Sequence, residues 1–125
     1  MLNRNQEIDI NRLLYKAVYF GSPHTAAMLL NNGADVDSRY QSGDSSLHIA
    51  AIFGYLKTMK TLIDHGAQVD AINQNGITPL HVAILLRHTS AVKLLISHGA
   101  DVNLQDASGR ASFHYAATQR NDICC

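Results

Sequence analysis

The chain has 125 residues, 46% of them hydrophobic and 16% charged, the composition of one folded domain rather than a disordered tail. Ten Lys and Arg balance ten Asp and Glu, with no basic block, which disfavours a binder of nucleic-acid phosphates. Its two cysteines are the last two residues, no Asn-x-Ser/Thr acceptor occurs, and no apolar run reaches membrane-spanning length. These features point to an intracellular protein, cytoplasmic or nuclear, without disulfides or a membrane anchor.

A period of 33 residues organises the chain. Residues 39–71 and 72–104 agree without a gap at 12 of 33 positions, and residues 6–38 join the same register at 10 of 33. A shorter fourth copy, residues 105–125, enters through Gly109, His114 and Ala116.

In chain order, the first copy opens with Arg12-Leu13-Leu14-Tyr15, an atypical start suited to an end cap. The second opens its first helix at Ser45-Ser46. The third opens at Thr78-Pro79, where Thr caps free N–H groups and Pro fills a first-turn position that needs none. Leu80, Ala83 and Ile84 then mark one apolar face of a helix of about two turns. A second helix begins at Thr89 or Ser90, carries Val92, Leu95 and Ile96 on one face, and ends at His98-Gly99. Helices this short cannot bury their faces alone, so the units must stack. Arg87 stands where Gly21 and Gly54 end the first helix, and a left-handed conformation there costs on the order of 1 kcal/mol.

The residues Gly76-Ile77-Thr78-Pro79-Leu80-His81-Val82-Ala83, followed by Leu94 to Asn103, closely resemble the ankyrin repeat, and the match covers residues 6–125. The resemblance implies an all-α solenoid of helix pairs in one domain: repeats 6–38, 39–71 and 72–104, and a partial repeat 105–125. It implies β-hairpin-like loops around 35–43, 68–76 and 101–109, a concave binding face, and a non-catalytic role in protein binding as scaffold or adaptor.

Seven histidines invite a metal site, but His48, His81 and His114 fall one per repeat, too far apart to share an ion. Hydrogen bonding to backbone and to a nearby Thr or Ser hydroxyl is the expected role, and the one the resemblance implies. His65 and His98 precede helix-ending glycines, where an imidazole can satisfy free carbonyls. Asp35, Asp37, Asp70 and Asp101 have turn-forming reasons to stand in loops. Catalytic signatures are missing, so no enzyme, cofactor or metal is expected. Cys124-Cys125 has the form of a double-cysteine prenylation signal without a polybasic second anchor; an internal stretch cut short is the preferred reading.

The expected binding surface consists of the residues before the glycine that ends each first helix: Tyr19 and Phe20, Ile52 and Phe53, Leu85 and Leu86. Of these, Ile52 and Leu85 are expected to face outward more than Phe20, Phe53 and Leu86. Ile72 and Ile77 add to the same side. A polar rim of Arg39, Gln41, Asp44, Gln74, Asn75, Gln105 and Arg110 surrounds them. A monomer engaging a protein partner follows. Two alternatives stand beside it: an adaptor fragment of a larger protein, and a substrate whose Asn103 sits where an ankyrin-directed asparaginyl hydroxylase acts in sequences of this family.

Overall fold

A computed structural model describes residues 9–40 and 43–111, and the expectations for Gln41, His114 and the terminal cysteines lie outside them. Six helices follow in pairs: α1 (Ile10–Tyr19) with α2 (Pro23–Asn31), α3 (Ser46–Phe53) with α4 (Leu56–Asp64), and α5 (Pro79–Leu85) with α6 (Thr89–Ser97). Helices α1, α3 and α5 pack in one row and α2, α4 and α6 in a second. No strand occurs among the described residues, only isolated bridges joining Arg39 to Ser45 and Gln105 to Ala111.

The period sets the core. Leu14, Leu47 and Leu80, one per repeat, are fully buried, as are Leu62 and Leu95 of the second row, and Ala17, Ala50 and Ala83 let neighbouring helices approach closely. Burying each leucine contributes roughly 1.5–3 kcal/mol, and most of that burial is made by the next pair in the stack.

The helix starts follow their sequences. Thr78 Oγ1 accepts the His81 N–H at 3.2 Å, with Pro79 next in the chain. Ser45 does the work of the Thr-Pro opening in the second repeat, its N–H and hydroxyl both meeting His48 Nδ1. Helix α1 begins earlier than the repeat register suggests, because the Asp9 carboxylate accepts the Asn11 and Arg12 N–H groups at 3.1 and 3.3 Å. Negative charge at that end also suits the helix dipole.

The loops close as equivalent tight turns at 73–77 and 106–110, one residue beyond the loop limits expected from the repeat pattern, and Tyr40 makes the same backbone bonds to Gly43 and Asp44. In each the first residue accepts from the glycine N–H, as Asn73 O does from Gly76 at 3.0 Å, and donates to the last carbonyl, as Asn73 N–H does to Ile77 O at 3.1 Å. Glycine at the fourth place lets adjacent turns lie against each other. A Cβ on Gly43 would come within 2.8 Å of the Gln74 nitrogen.

Between the helices of each pair the chain turns through a left-handed residue: Gly21 at φ 70°, Gly54 at φ 70° and Arg87 at φ 63°. Two of these glycines have a further reason to lack a side chain. The Tyr55 ring of the second repeat covers Gly21 of the first, and the His88 ring of the third covers Gly54 of the second. A Cβ on Gly54 would lie 2.8 Å from His88 Nδ1. Gly54→Ala is therefore expected to cost about 2–3 kcal/mol, from backbone strain and the clash together, but only about 1–2 kcal/mol in a His88→Ala background. Urea unfolding of the four members of that double-mutant cycle measures the difference.

Candidate functional site

The buried histidines hold the stack together. His48 Nε2 lies 2.7 Å from the carbonyl oxygen of Ile77 in the next repeat, and His81 Nε2 lies 3.1 Å from that of Arg110. A carbonyl can only accept, so each Nε2 carries the proton. Each Nδ1 is then an acceptor, taking the N–H of Ser45 at 3.1 Å and of Thr78 at 3.2 Å. A third imidazole works in the opposite direction, His88 Nε2 donating to Ile52 O of the preceding repeat at 2.9 Å. Tyr55 reaches back in the same way to Tyr19 O, at 3.5 Å. His65 and His98 close the ends of α4 and α6, each Nδ1–H donating to a carbonyl four residues earlier, Thr61 O at 2.9 Å and Leu94 O at 3.0 Å. Among the described residues no group of three or more His, Cys, Asp or Glu stands close enough to hold a metal ion.

Burial holds the His48 imidazole below its ordinary value of 6.5, and nearby Arg39 and His81 act in the same direction. The Ile77 carbonyl and Asp44 oppose them without prevailing. A protonated Nδ1 would also point a proton at the Ser45 N–H. The unfolded chain binds this proton more readily than the folded one, so the contribution of His48 to stability is complete above 6.5 and declines as pH falls through the folded value. Stability measured by urea unfolding is therefore expected to fall as pH is lowered below about 6.5. His48→Gln should cost about 1–3 kcal/mol above that pH and show a shallower decline.

Two of the four loop aspartates take the turn-forming role expected of them, and the other two tie repeats together. Asp35 and Asp101 accept the N–H two residues on, from Asp37 and Asn103. Asp37 and Asp70 reach the next repeat, accepting from Gln68 N–H and Asp101 N–H at 3.0 Å each. Asn103 occupies the equivalent position in the third repeat and is exposed.

Several rim residues are also structural ties. The Arg39 guanidinium donates to Gly43 O at 3.0 Å and to Ile72 O of the next turn at 2.7 Å. Asp44 accepts from the Asn73 side chain at 2.9 Å. Arg110 Nε stands 3.6 Å from the buried Asp106 carboxylate, and the Arg110 carbonyl is the one His81 holds. Gln74 and Asn75 are exposed at a turn tip, where the Asn75 carbonyl accepts Ala107 N–H at 2.8 Å, and Gln105 is exposed at the base of the last turn.

The apolar candidates divide differently from expectation. Ile52, expected to face outward, is half-buried and packs on the core, and Ile77 is half-buried with its carbonyl held by His48. Phe20, expected to tuck inward more readily, is 76% exposed. Ile52 packs on the core although the tie at its carbonyl, from His88, is the same as the one Tyr55 makes to the exposed Tyr19, and Phe20 caps α1 beside its glycine turn. Phe53 at 40% and Leu86 at 45%, grouped with Phe20 in that expectation, are exposed too, as are Tyr19 at 45%, Leu85 at 57% and Ile72.

Exposed rings (Tyr19, Phe20, Phe53) and half-buried ones (Tyr15, Tyr40, Tyr55) form a track. Tyr40 and Tyr15 have centroids 4.3 Å apart, Tyr15 and Tyr19 are separated by 6.0 Å, Tyr19 and Phe53 meet edge to face at 5.2 Å, and Phe53 stacks on Tyr55 at 5.3 Å. Phe20 joins edge-on to Tyr19 at 5.4 Å. The track begins in an open cleft of about 700 Å³ between α1 and the first turn, where Arg12, Tyr15, Arg39, Tyr40, Asp44 and Ile49 meet. It ends at the C-terminal ends of α1 and α3. The sequence reading missed the tyrosines at 15, 40 and 55; the place of Tyr55 directly after a helix-ending glycine, shared with His88, was the available signal.

Stacked pairs of short helices joined by tight turns at a fixed period define a helical-repeat solenoid, a class that presents an extended face instead of a closed pocket. The family model for ankyrin repeats (3 copies) matches residues 14–106 and 70–125, and the chain belongs to that family. Comparison with curated proteins finds no match. Ankyrin repeats are in general non-catalytic protein–protein interaction modules. No helix among the described residues is long and apolar enough to cross a membrane.

Proposed function

We propose that this chain is a scaffold or adaptor module that captures a protein partner through the concave face of α1, α3 and α5 and the tips of its turns. The carrying observation is the exposure of Tyr19, Phe20, Phe53, Leu85 and Leu86 at the ends of α1, α3 and α5 in three successive repeats, with Tyr19 in contact with Phe20 and Phe53. Scattered apolar residues are ordinary on a protein surface, but a continuous apolar surface with a polar rim marks a binding face. Ile72, Gln74, Asn75, Gln105 and Arg110 supply the rim at the turn tips, with Arg39 and Asp44 setting the orientation of the turns. A stack tied by side chains at each junction loses little conformational entropy on binding, which favours affinity.

Phe53→Asp with Leu85→Asp is expected to remove partner capture, with only a modest loss of stability because neither side chain fills the core. Quantitative mass spectrometry of proteins retained by the wild-type chain and by the double variant tests this. Retention of the same proteins by both would refute the concave-face assignment.

A second reading concerns Asn103, exposed at the position that Asp37 and Asp70 occupy in the earlier repeats, with its backbone N–H held by Asp101 at 2.8 Å. That exposure supports its role as an acceptor for an asparaginyl hydroxylase. Coexpression with the enzyme should add one oxygen at Asn103 by peptide mass spectrometry, and an unmodified residue would eliminate the reading.

A further inference from the structure

The tight turns at 73–77 and 106–110 both carry glycine at the fourth place, but the residue before that glycine differs. Gly76 lies at φ 72°, and a Cβ there would come within 2.9 Å of the Ala107 nitrogen, so a side chain is disfavoured twice over. Serine precedes the glycine in the neighbouring copies of the period, at Ser42 and Ser108, whereas Asn75 precedes Gly76. Asparagine followed by glycine is a labile pair. The backbone nitrogen of the second residue can attack the side-chain amide carbon of the first, and glycine presents no side chain to block the approach.

The stack occupies the amides of most other asparagines. Among the described residues, Asn11 Oδ1 accepts Asp35 N–H at 2.7 Å, Asn31 Oδ1 meets His65 Nε2 at 3.1 Å, and Asn32 Nδ2 donates to Met28 O at 2.7 Å. Asn73 uses both ends of its amide, donating to Asp44 and accepting from the N–H groups of Asn75 and Ile77. The side-chain amides of Asn75 and Asn103 make no such bond, both residues are exposed, and of the two only Asn75 precedes glycine. The peptide bond after Asn75 is also polarised. Its carbonyl accepts Ala107 N–H at 2.8 Å, and a donor on an amide oxygen withdraws density from the nitrogen, which makes the Gly76 N–H more acidic. Gly76 N–H donates to Asn73 O at 3.0 Å, a bond that local opening of an exposed turn tip releases at low cost. At the other described Asn-Gly pair, Asn32-Gly33, the side-chain amide is held and no described donor reaches the Asn32 carbonyl.

We propose that Asn75 is a site of spontaneous deamidation, and that its isoaspartate product unties the turn at 73–77 from the turn at 106–110. The Gly76 nitrogen gives its proton to water or hydroxide and bonds to Asn75 Cγ. The Cγ–Nδ2 bond breaks, Nδ2 takes a proton from water and leaves as ammonia, and a five-membered succinimide remains. Water then opens the ring at either carbonyl, to aspartate or to isoaspartate, with nothing oxidised or reduced. Isoaspartate carries the main chain through Cβ and Cγ, which inserts one methylene where Gly76 lies against the Ala107 backbone. The carbonyl that held Ala107 N–H becomes a side carboxylate, and the bond between the two turns is lost. Either product also sets a negative charge at an exposed tip that was neutral.

The test is peptide mass spectrometry over time on the full chain held in mildly alkaline buffer, with the same chain in mildly acidic buffer and in urea as references. Asn75 should gain about 1 Da at least about tenfold faster than Asn32 or Asn103, and faster in the alkaline than in the acidic buffer. Enzymatic carboxyl methylation, which marks isoaspartate and not aspartate, should label the converted peptide, and Ala107 N–H should exchange with deuterium faster in the labelled fraction. Asn75→Ser, which copies the neighbouring turns, should keep the melting temperature of the wild-type chain and abolish both the mass gain and the label. Asn32 or Asn103 converting as fast as Asn75 would overturn the proposal. So would an intact Asn75 over a time in which the urea-unfolded chain converts, or unchanged exchange at Ala107 in the labelled fraction.

Discussion

A helix of seven to ten residues has only one useful apolar stripe and leaves several backbone groups at each end without helical partners, and everything else in this protein answers that deficit. One hairpin of two such helices buries too little surface to be stable by itself. The neighbouring hairpin supplies both missing quantities, the other half of the apolar contact and the hydrogen-bond partners for the turns. The junctions are therefore as polar as they are apolar. His48 and His81 reach 29 residues forward to a carbonyl, Asp37 and Asp70 reach 31 residues forward to an N–H, and Tyr55 and His88 reach 36 residues back to a carbonyl. Each kind of tie is made twice, at adjacent junctions, by side chains in equivalent places of the period.

Ties of this form account for the uneven roles of residues that look alike in sequence. Arg39 and Arg110 stand near turn tips and carry charge, yet Arg39 bridges two turns and Arg110 lies beside a buried carboxylate. Asp106 illustrates the same economy: its Oδ1 accepts from the N–H groups of Ser108 and Arg110 at 2.9 Å each, fixing a turn that glycine alone would leave loose. Such residues orient the rim. The side chains with no comparable part in the stack, Phe20, Leu85 and Leu86 among them, are the ones left on its face.

The fold was legible in the sequence to a large degree because its determinants are periodic or local. A 33-residue register exposes the leucines and alanines of the core, Thr78-Pro79 announces a helix start, and the left-handed Arg87 follows from the glycines in its register. The candidate site was less legible. That Ile52 packs inward while Phe20 stays exposed is a matter of contacts between repeats, and no pattern within a single repeat records them. The aromatic track was hidden for the same reason. Its rings come from α1, α3, a turn and a helix junction, at unrelated sequence positions, and they meet only when the pairs stack. Asp9 escaped notice because it caps α1 ahead of the register in which the other repeats begin.

The separation between stacking and display has an energetic consequence. Leaving a phenylalanine or leucine side chain exposed forgoes up to roughly 1.5–3 kcal/mol that its burial would contribute. The stack does not need that contribution, since its junctions are closed by the buried leucines, alanines and imidazoles. Large apolar side chains on the ends of α1, α3 and α5 therefore have no stabilising role commensurate with their size, while they carry a liability for self-association. Their exposure is accounted for by the partner-binding role proposed for this face, since only a ligand that covers them recovers the apolar contact that the stack leaves unused.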